Sequence, residues 1–348
     1  MQPAFVIGSA SRIYIGSVRE VLPELLPGGR VAAISDATID RLYPELLAPY
    51  GPVLVGKGES IKTLQTIEAV YRKFLEAGVD RSTFVLGIGG GIVTDITGFA
   101  ASTYMRGLRF GFIPTTLLGQ VDAAIGGKNG VNIDGYKNIA GTFEQPQFVI
   151  CDPALLATLP DREFRAGLAE IIKAAIIADA ELFARLESVD FARLLHDQEQ
   201  LSEIIRAAIR VKVEIVARDE RETGERRKLN LGHTLAHAIE KCTARMNHGE
   251  AVAVGMRLIA EAAVKTGLLS PTDNERISAL LTRAGFATEP PVEVKRLLKE
   301  VTKDKKSHDG LLRIVFPTRI GDCTVRTMHP NEFAALLPTH REFSVKGK

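Results

Sequence analysis

The sequence predicts an N-terminal doubly wound, Rossmann-like α/β domain followed by a mainly α-helical C-terminal domain, with the boundary at residue 159. Three observations predict it. Short apolar runs alternate with a helix-spaced segment through the first half, a glycine cluster joins one run to a helix, and beyond Leu159-Pro160 the alternation gives way to long helical spacing. With 348 residues and 45% hydrophobic content, the chain can bury two cores of ordinary size.

Val31–Asp36, Pro52–Val55, Thr83–Gly87 and Phe110–Ile113 are the apolar runs expected as strands. Between them, Ile61–Ala77 carries Leu64, Ile67, Tyr71, Phe74 and Leu75 at helical spacing. Gly87-Ile-Gly-Gly-Gly91 then turns a strand into the helix Ile92–Ala101. Glycine lets backbone approach a ligand, and a helix start offers N–H groups and a positive dipole end to phosphate. Ile92 stands where a G-x-G-x-x-G run would have its last glycine, and taken alone a glycine cluster at a strand–helix junction is more often just a tight turn. Asp36 closing an earlier strand and Pro114-Thr-Thr116 closing a later one would add ribose-type acceptors and hydroxyls at the same sheet edge. Gly126–Asn132 with Tyr136–Asn138 is expected as a glycine-rich polar loop, either an oxyanion grip or a solvated connection. After the boundary, helices are expected over Glu163–Leu186, Leu201–Arg218 and the segment from Lys228, with strands at Arg313–Phe316 and Cys323–Arg326.

Lys plus Arg 44 against Asp plus Glu 42 leaves +2, too balanced to imply nucleic acid or an anionic membrane as partner. Cys151, Cys242 and Cys323 are odd in number and widely spaced, which fits a reducing compartment and neither a disulfide framework nor a thiolate zinc site. The opening residues show no basic region leading into an apolar stretch, and no uncharged run is long enough to span a bilayer. A soluble cytoplasmic protein is expected.

Chemistry concentrates in Lys228-Leu-Asn-Leu-Gly-His-Thr-Leu-Ala-His-Ala-Ile-Glu240 and Asn247-His-Gly-Glu-Ala-Val252. His233 and His237, one turn apart on one helix face, suit a divalent ion; alternatively one is a ligand and the other a hydrogen-bonded core histidine. His248, at the restart of a helix, is a further station. Glu170 and Lys173 interrupt the apolar run Leu168–Ile177, where burial without partners is costly. Glu170 is therefore the natural carboxylate ligand for zinc, unless it simply pairs with Lys173.

Gly89-Gly-Gly-Ile-Val-Thr-Asp-Ile-Thr-Gly98, Tyr104-Met-Arg-Gly107, Ile113–Leu118, Gln120-Val-Asp122, Gly126–Asn132, Lys137-Asn138, Gly167–Lys173, Leu229–Thr234, His237–Glu240 and His248–Val252 follow one another in an order and at intervals that resemble the 3-dehydroquinate synthase family. The resemblance runs from about Asp36 to Arg326. Thr94 stands where glycine is common and Asn129 where threonine is common, and neither change removes a charged or metal-binding group.

The resemblance implies NAD and a divalent metal, zinc or cobalt, as cofactors, with residues 1–159 binding NAD and 160–348 binding metal and substrate. It implies Glu170, His233 and His248 as metal ligands, which makes His237 a substrate-side group. Asp36, Glu59, Lys62, Gly90, Gly91, Ile92, Asp95, Thr115, Thr116, Leu118, Asp122 and Thr158 match positions that hold NAD, with Lys128 and Lys137 adjoining them. Lys128, Asn138 and Arg106 match groups at the substrate phosphate, Arg106 reaching from a second subunit of a homodimer, together with one of Lys305 and Lys306. Lys212 and Arg226 match the carboxylate end; Lys173, Asn230, His237 and Lys137 match groups at the reacting hydroxyls. The implied reaction converts 3-deoxy-D-arabino-heptulosonate 7-phosphate, a sugar phosphate acid of the shikimate route to aromatic amino acids, into 3-dehydroquinate and phosphate. Cyclases acting on sedoheptulose 7-phosphate or glucose 6-phosphate, metal-dependent alcohol dehydrogenases and a non-catalytic sugar phosphate sensor are the rival readings.

Overall fold

The computed structural model describes residues 2–8, 11–287, 289–304 and 310–338. Lys305 and Lys306 lie outside the described residues. The chain divides into two compact units, residues 1–167 with 192–222, and residues 168–191 with 223–348. Residues 192–222 thus group with the first unit although they follow the boundary placed at 159.

The first unit is built on strands β1 (Phe5–Ile7), β2 (Ser11–Ile15), β3 (Val31–Asp36), β4 (Val53–Val55), β5 (Phe84–Gly89), β6 (Phe110–Pro114), the hairpin β7 (Lys128–Ile133) and β8 (Tyr136–Phe143), and β9 (Phe148–Cys151). Seven form one sheet in the order β1-β2-β9-β6-β5-β3-β4. All neighbours are parallel except the β1–β2 pair. β5 lies mid-sheet, and its side chains Phe84, Leu86 and Ile88 are fully buried, which explains its continuous apolar reading. Phe84 stacks on Phe148 with ring centroids 5.4 Å apart. Each such burial stabilises the fold by roughly 1.5–3 kcal/mol.

Two expectations change here. Gly126–Asn138 is not a loop: β7 and β8 pair antiparallel around Asp134-Gly135, both at positive φ. Its glycines and asparagines hid the strand signal, yet a Cβ on Gly141 would stand 2.6 Å from the Asn129 carbonyl oxygen, so glycine there permits the pairing. The helix expected over Glu163–Leu186 is two, Asp161–Ala178 and Ala180–Ser188, because the Asp179 carboxylate accepts the Leu182 N–H at 2.9 Å and caps a new start.

The second unit holds helices His233–Cys242, His248–Lys265, Pro271–Arg283 and Val294–Asp304. Strands β10 (Leu312–Arg319) and β11 (Asp322–Met328), which contain the two runs expected as strands, pair antiparallel. Among the described residues, no helix is long and apolar enough to cross a membrane.

Candidate functional site

In the first unit, β3 leaves toward β4 while β5 leaves toward β6, so the strand order reverses between β3 and β5. Ligands of open α/β sheets bind outside the carboxyl ends at such a point. Asp36, Gly89–Gly91 and Thr115–Thr116 all stand at that edge. Asp36 is held there by capping helix Ala37–Leu42, its Oδ1 accepting the Thr38 N–H at 2.7 Å. Helix Gly91–Thr103 starts behind Gly90 with no side-chain cap, which leaves its first-turn N–H groups without acceptors inside the helix. The turn is tight for side chains: a Cβ on Gly90 would lie 3.1 Å from Thr116 Cγ2, and one on Gly91 would lie 3.0 Å from Ala123 Cβ. Thr115 Oγ1 is buried with no hydrogen-bond partner, an unmet polar group beside the cradle. A diphosphate on the helix start, with a hydroxyl nearby, fits these features.

A polar network ties this edge to the hairpin. Lys62, 4% exposed, forms an ion pair with Asp95 and donates to Asn138 Oδ1 at 2.5 Å. Burial pushes the Asp95 carboxyl up, against the Lys62 ammonium that pulls it down. Asn132 donates to Glu59 Oε1 at 2.8 Å and accepts the Asn138 N–H at 2.8 Å, which places Asn138 in the left-handed region at φ 54°. Lys128 pairs with Glu222. Lys212, a buried residue of helix Gln198–Arg218, donates to Asp122 Oδ1 at 2.5 Å. Asp122 sits in the π-turn Gly119–Ala123. Thr158 is exposed and bonds the Tyr43 hydroxyl at 2.8 Å. Arg106 is exposed, on a turn where Met105 and Arg106 are both left-handed, at φ 48° and 70°.

In the second unit, Glu170, His233 and His248 bring one ligand atom each within 4.8 Å of one another. Glu170, 2% exposed, projects from helix Asp161–Ala178, and its Oε1 lies 3.8 Å from His233 Nε2 and 3.6 Å from His248 Nε2. Both histidines open helices. His233 follows Gly232, left-handed at φ 81°, and His248 follows Asn247, which closes a capping box with Glu250. The His233 Nδ1 faces the Leu231 carbonyl at 3.2 Å and the His248 Nδ1 faces Glu240 Oε1 at 3.2 Å. Both Nε2 atoms face Glu170, and with Nδ1–H donating in each ring and Nε2 deprotonated they would complete the donor set of a three-ligand zinc-type site. Burial and the Lys173 charge lower the His233 pKa to about 3, which keeps this ring neutral. Burial opposes protonation of His248 too, yet its bonds to Glu170 and Glu240 outweigh that and raise its pKa to about 9.

Lys173 pairs with Glu170, so the ion pair and the histidine cluster, weighed as alternatives, coexist. His237 is not in the cluster: it is exposed, its ring edge-on to His233 at 5.7 Å, because the second imidazole comes from the next helix and not from the next turn. Arg226 is 2% exposed and among the largest fully buried side chains, within the short turn Glu225–Asn230 that also carries Asn230. Glu240 went unassigned in the sequence, although its position seven residues after His233 puts it on the same helix face.

Comparison with known proteins gives the same outline. Family models of the 3-dehydroquinate synthase N-terminal and C-terminal domains match residues 52–166 and 167–307. A 3-dehydroquinate synthase of Halorhodospira halophila is 45% identical over 323 residues, covering 90% of this chain and 91% of the relative. Another, of Microcystis aeruginosa, is 46% identical over 279 residues, covering 78% and 76%. The solved 2-epi-5-epi-valiolone synthase of Streptomyces hygroscopicus subsp. jinggangensis, which has NAD+ and Zn2+ bound, superposes with a TM-score of 0.85 at 32% identity, covering 95% of this chain and 96% of that one. With both domain models matched in order and relatives this similar along most of their length, the chain belongs to the 3-dehydroquinate synthase family.

Proposed function

We propose that the chain is a 3-dehydroquinate synthase, converting 3-deoxy-D-arabino-heptulosonate 7-phosphate to 3-dehydroquinate and phosphate by transient oxidation of a secondary alcohol, phosphate elimination, re-reduction and intramolecular aldol closure. The observation that carries it is the Glu170–His233–His248 cluster around the buried Glu170, with Lys173 beside it, in a chain of this family. Bound NAD supplies a reversible hydride acceptor, and a bound divalent ion, zinc or cobalt, supplies a Lewis acid for the oxygens at the reacting carbon.

Gly90, Gly91 and Ile92 would hold the diphosphate of NAD at the helix start, with Asp36 toward a ribose and Thr115, Thr116, Leu118 and Thr158 along the same edge. Lys62 and Asp95 brace each other there, and through Asn138 they couple this set to the hairpin. Glu59 joins through Asn132. Lys128, Asn138 and Arg106 are assigned to the substrate phosphate, with one of Lys305 and Lys306, and Lys137 lies on the same hairpin. Arg226 offers a planar fork to the carboxylate, and Lys212, poised by Asp122, adds a point charge. Lys173, Asn230 and His237 are assigned to the reacting hydroxyls, where a buried ammonium can hold a developing oxyanion. Arg106, exposed on a left-handed turn, is assigned to reach the site of the second subunit in a homodimer, as the family resemblance implies. Three free cysteines support a reducing, cytoplasmic setting.

The test is to supply heptulosonate phosphate with catalytic NAD. Release of phosphate and dehydroquinate with no net NADH supports the proposal. Accumulating NADH would make the chain a dehydrogenase, and preferential turnover of sedoheptulose 7-phosphate would make it another cyclase.

A further inference from the structure

The two histidines of the cluster are held by unlike acceptors. His233 Nδ1 faces a neutral main-chain carbonyl, that of Leu231, whereas His248 Nδ1 faces the Glu240 carboxylate, each at 3.2 Å. Glu240 is well placed for that task. It lies seven residues after His233 on helix His233–Cys242, its side chain is 9% exposed, and His248 opens the next helix. One helix therefore supplies a ligand from its first residue and the brace for the other ligand two turns on.

We infer that Glu240 is a positioning residue of the metal centre, fixing the Nδ1–H tautomer of His248 and lending its negative charge to the bound ion; this rests on the metal-dependent reading above. At equal distance an ionised acceptor makes a stronger bond than a neutral one, and it raises the electron density on the opposite ring nitrogen. An ionised carboxylate held largely away from water is stabilised by positive charge nearby. A dication bound at the opposite nitrogen of the same imidazole would add to that stabilisation. Charge counting points the same way. Glu170, Glu240 and Lys173 sum to −1, so a divalent ion brings the centre to +1, suited to hold an anionic oxygen, whereas without Glu240 the centre would stand at +2.

The plain alternative is that Glu240 only ties two helices together. Glu240→Ala and Glu240→Gln separate the two roles, because the amide keeps an acceptor for Nδ1–H and the shape, but not the charge. Zinc affinity is measured by competition with a chromophoric chelator, cobalt(II) d–d absorption reports ligand geometry, and thermal unfolding of the metal-free proteins reports structure. Glu240→Ala is expected to weaken zinc binding about 10- to 100-fold and alter the cobalt spectrum. Glu240→Gln should fall between it and the parent, with the metal-free proteins unfolding at the parental temperature. Parental zinc affinity in Glu240→Ala would overturn the inference, as would a loss of affinity in both variants that only follows a fall in metal-free stability. If the parent itself bound no metal, the functional reading would fall as well.

Discussion

Gly255→Ala should damage the metal centre without touching a ligand. Gly255 lies in helix His248–Lys265 against Gly232, the residue before helix His233–Cys242. A Cβ there would stand 2.1 Å from the Gly232 carbonyl oxygen and 2.9 Å from its carbon. An unstrained carbon–oxygen contact is about 3.3 Å, so the two helix segments would have to part by roughly 1 Å. The obstacle is main chain and cannot swing aside. A contact this short against main chain belongs to the upper part of the usual overpacking range, about 2–3 kcal/mol, and alanine recovers ~1 kcal/mol of helix propensity, so the clash wins by about 1–2 kcal/mol. At roughly 2–4 °C per kcal/mol, the metal-free protein should unfold about 2–8 °C lower. Metal sites tolerate only about 0.2 Å of ligand error, so an ion must draw His233 and His248 back together. If that takes the same 1–2 kcal/mol, zinc affinity drops about 5- to 30-fold. Chelator competition and thermal unfolding measure both quantities. Parental zinc affinity together with parental stability would show that the Gly232–Gly255 contact does not set the spacing of the two histidines.

Other perturbations test the remaining parts. Gly91→Val puts branched carbon into a turn where even a Cβ meets Ala123 at 3.0 Å, so calorimetric titration should detect no NAD binding by a folded protein; parental NAD affinity would mean that the cofactor lies elsewhere. Arg226→Ala removes a buried fork and should lower kcat/KM for heptulosonate phosphate about a hundredfold, on the order of 3 kcal/mol, with little effect on any residual sedoheptulose 7-phosphate turnover; an unchanged ratio between the two substrates would refute the carboxylate role. Burial raises the Cys323 thiol to about 12 and the Cys151 thiol further still, whereas Cys242 is partly exposed. A disulfide reagent near pH 8 should therefore label one thiol rapidly in the native protein and all three after unfolding; rapid labelling of two or more would contradict the described packing.

Local chemistry was legible in the residues alone. The runs at Val31–Asp36 and Phe110–Ile113, the glycine turn and the helix restart at His248 depend on neighbours within a few positions, and the structure holds them as expected. The hairpin at Lys128–Phe143 was obscured because glycine and asparagine, weak strand formers, serve there to let backbones approach. The break at Asp179 was obscured because the apolar spacing continues through it, and one carboxylate suffices to cap a new helix.

The metal cluster marks the division between the two sources most clearly. By itself the sequence determined which residue types were available, that His233 and His237 share a helix face, and that Glu170 and Lys173 sit in an apolar helix where neither can be buried alone. Only the tertiary structure decided that Glu170, His233 and His248 meet without His237, that Glu240 lies against His248, and that Lys212 is held by Asp122, 90 positions away. Helix periodicity is a short-range property that places side chains on a face. Which faces meet is set by packing between distant segments, here by the contact of Gly232 with Gly255, whose missing side chains bring two helix starts close enough for their imidazoles to share one carboxylate.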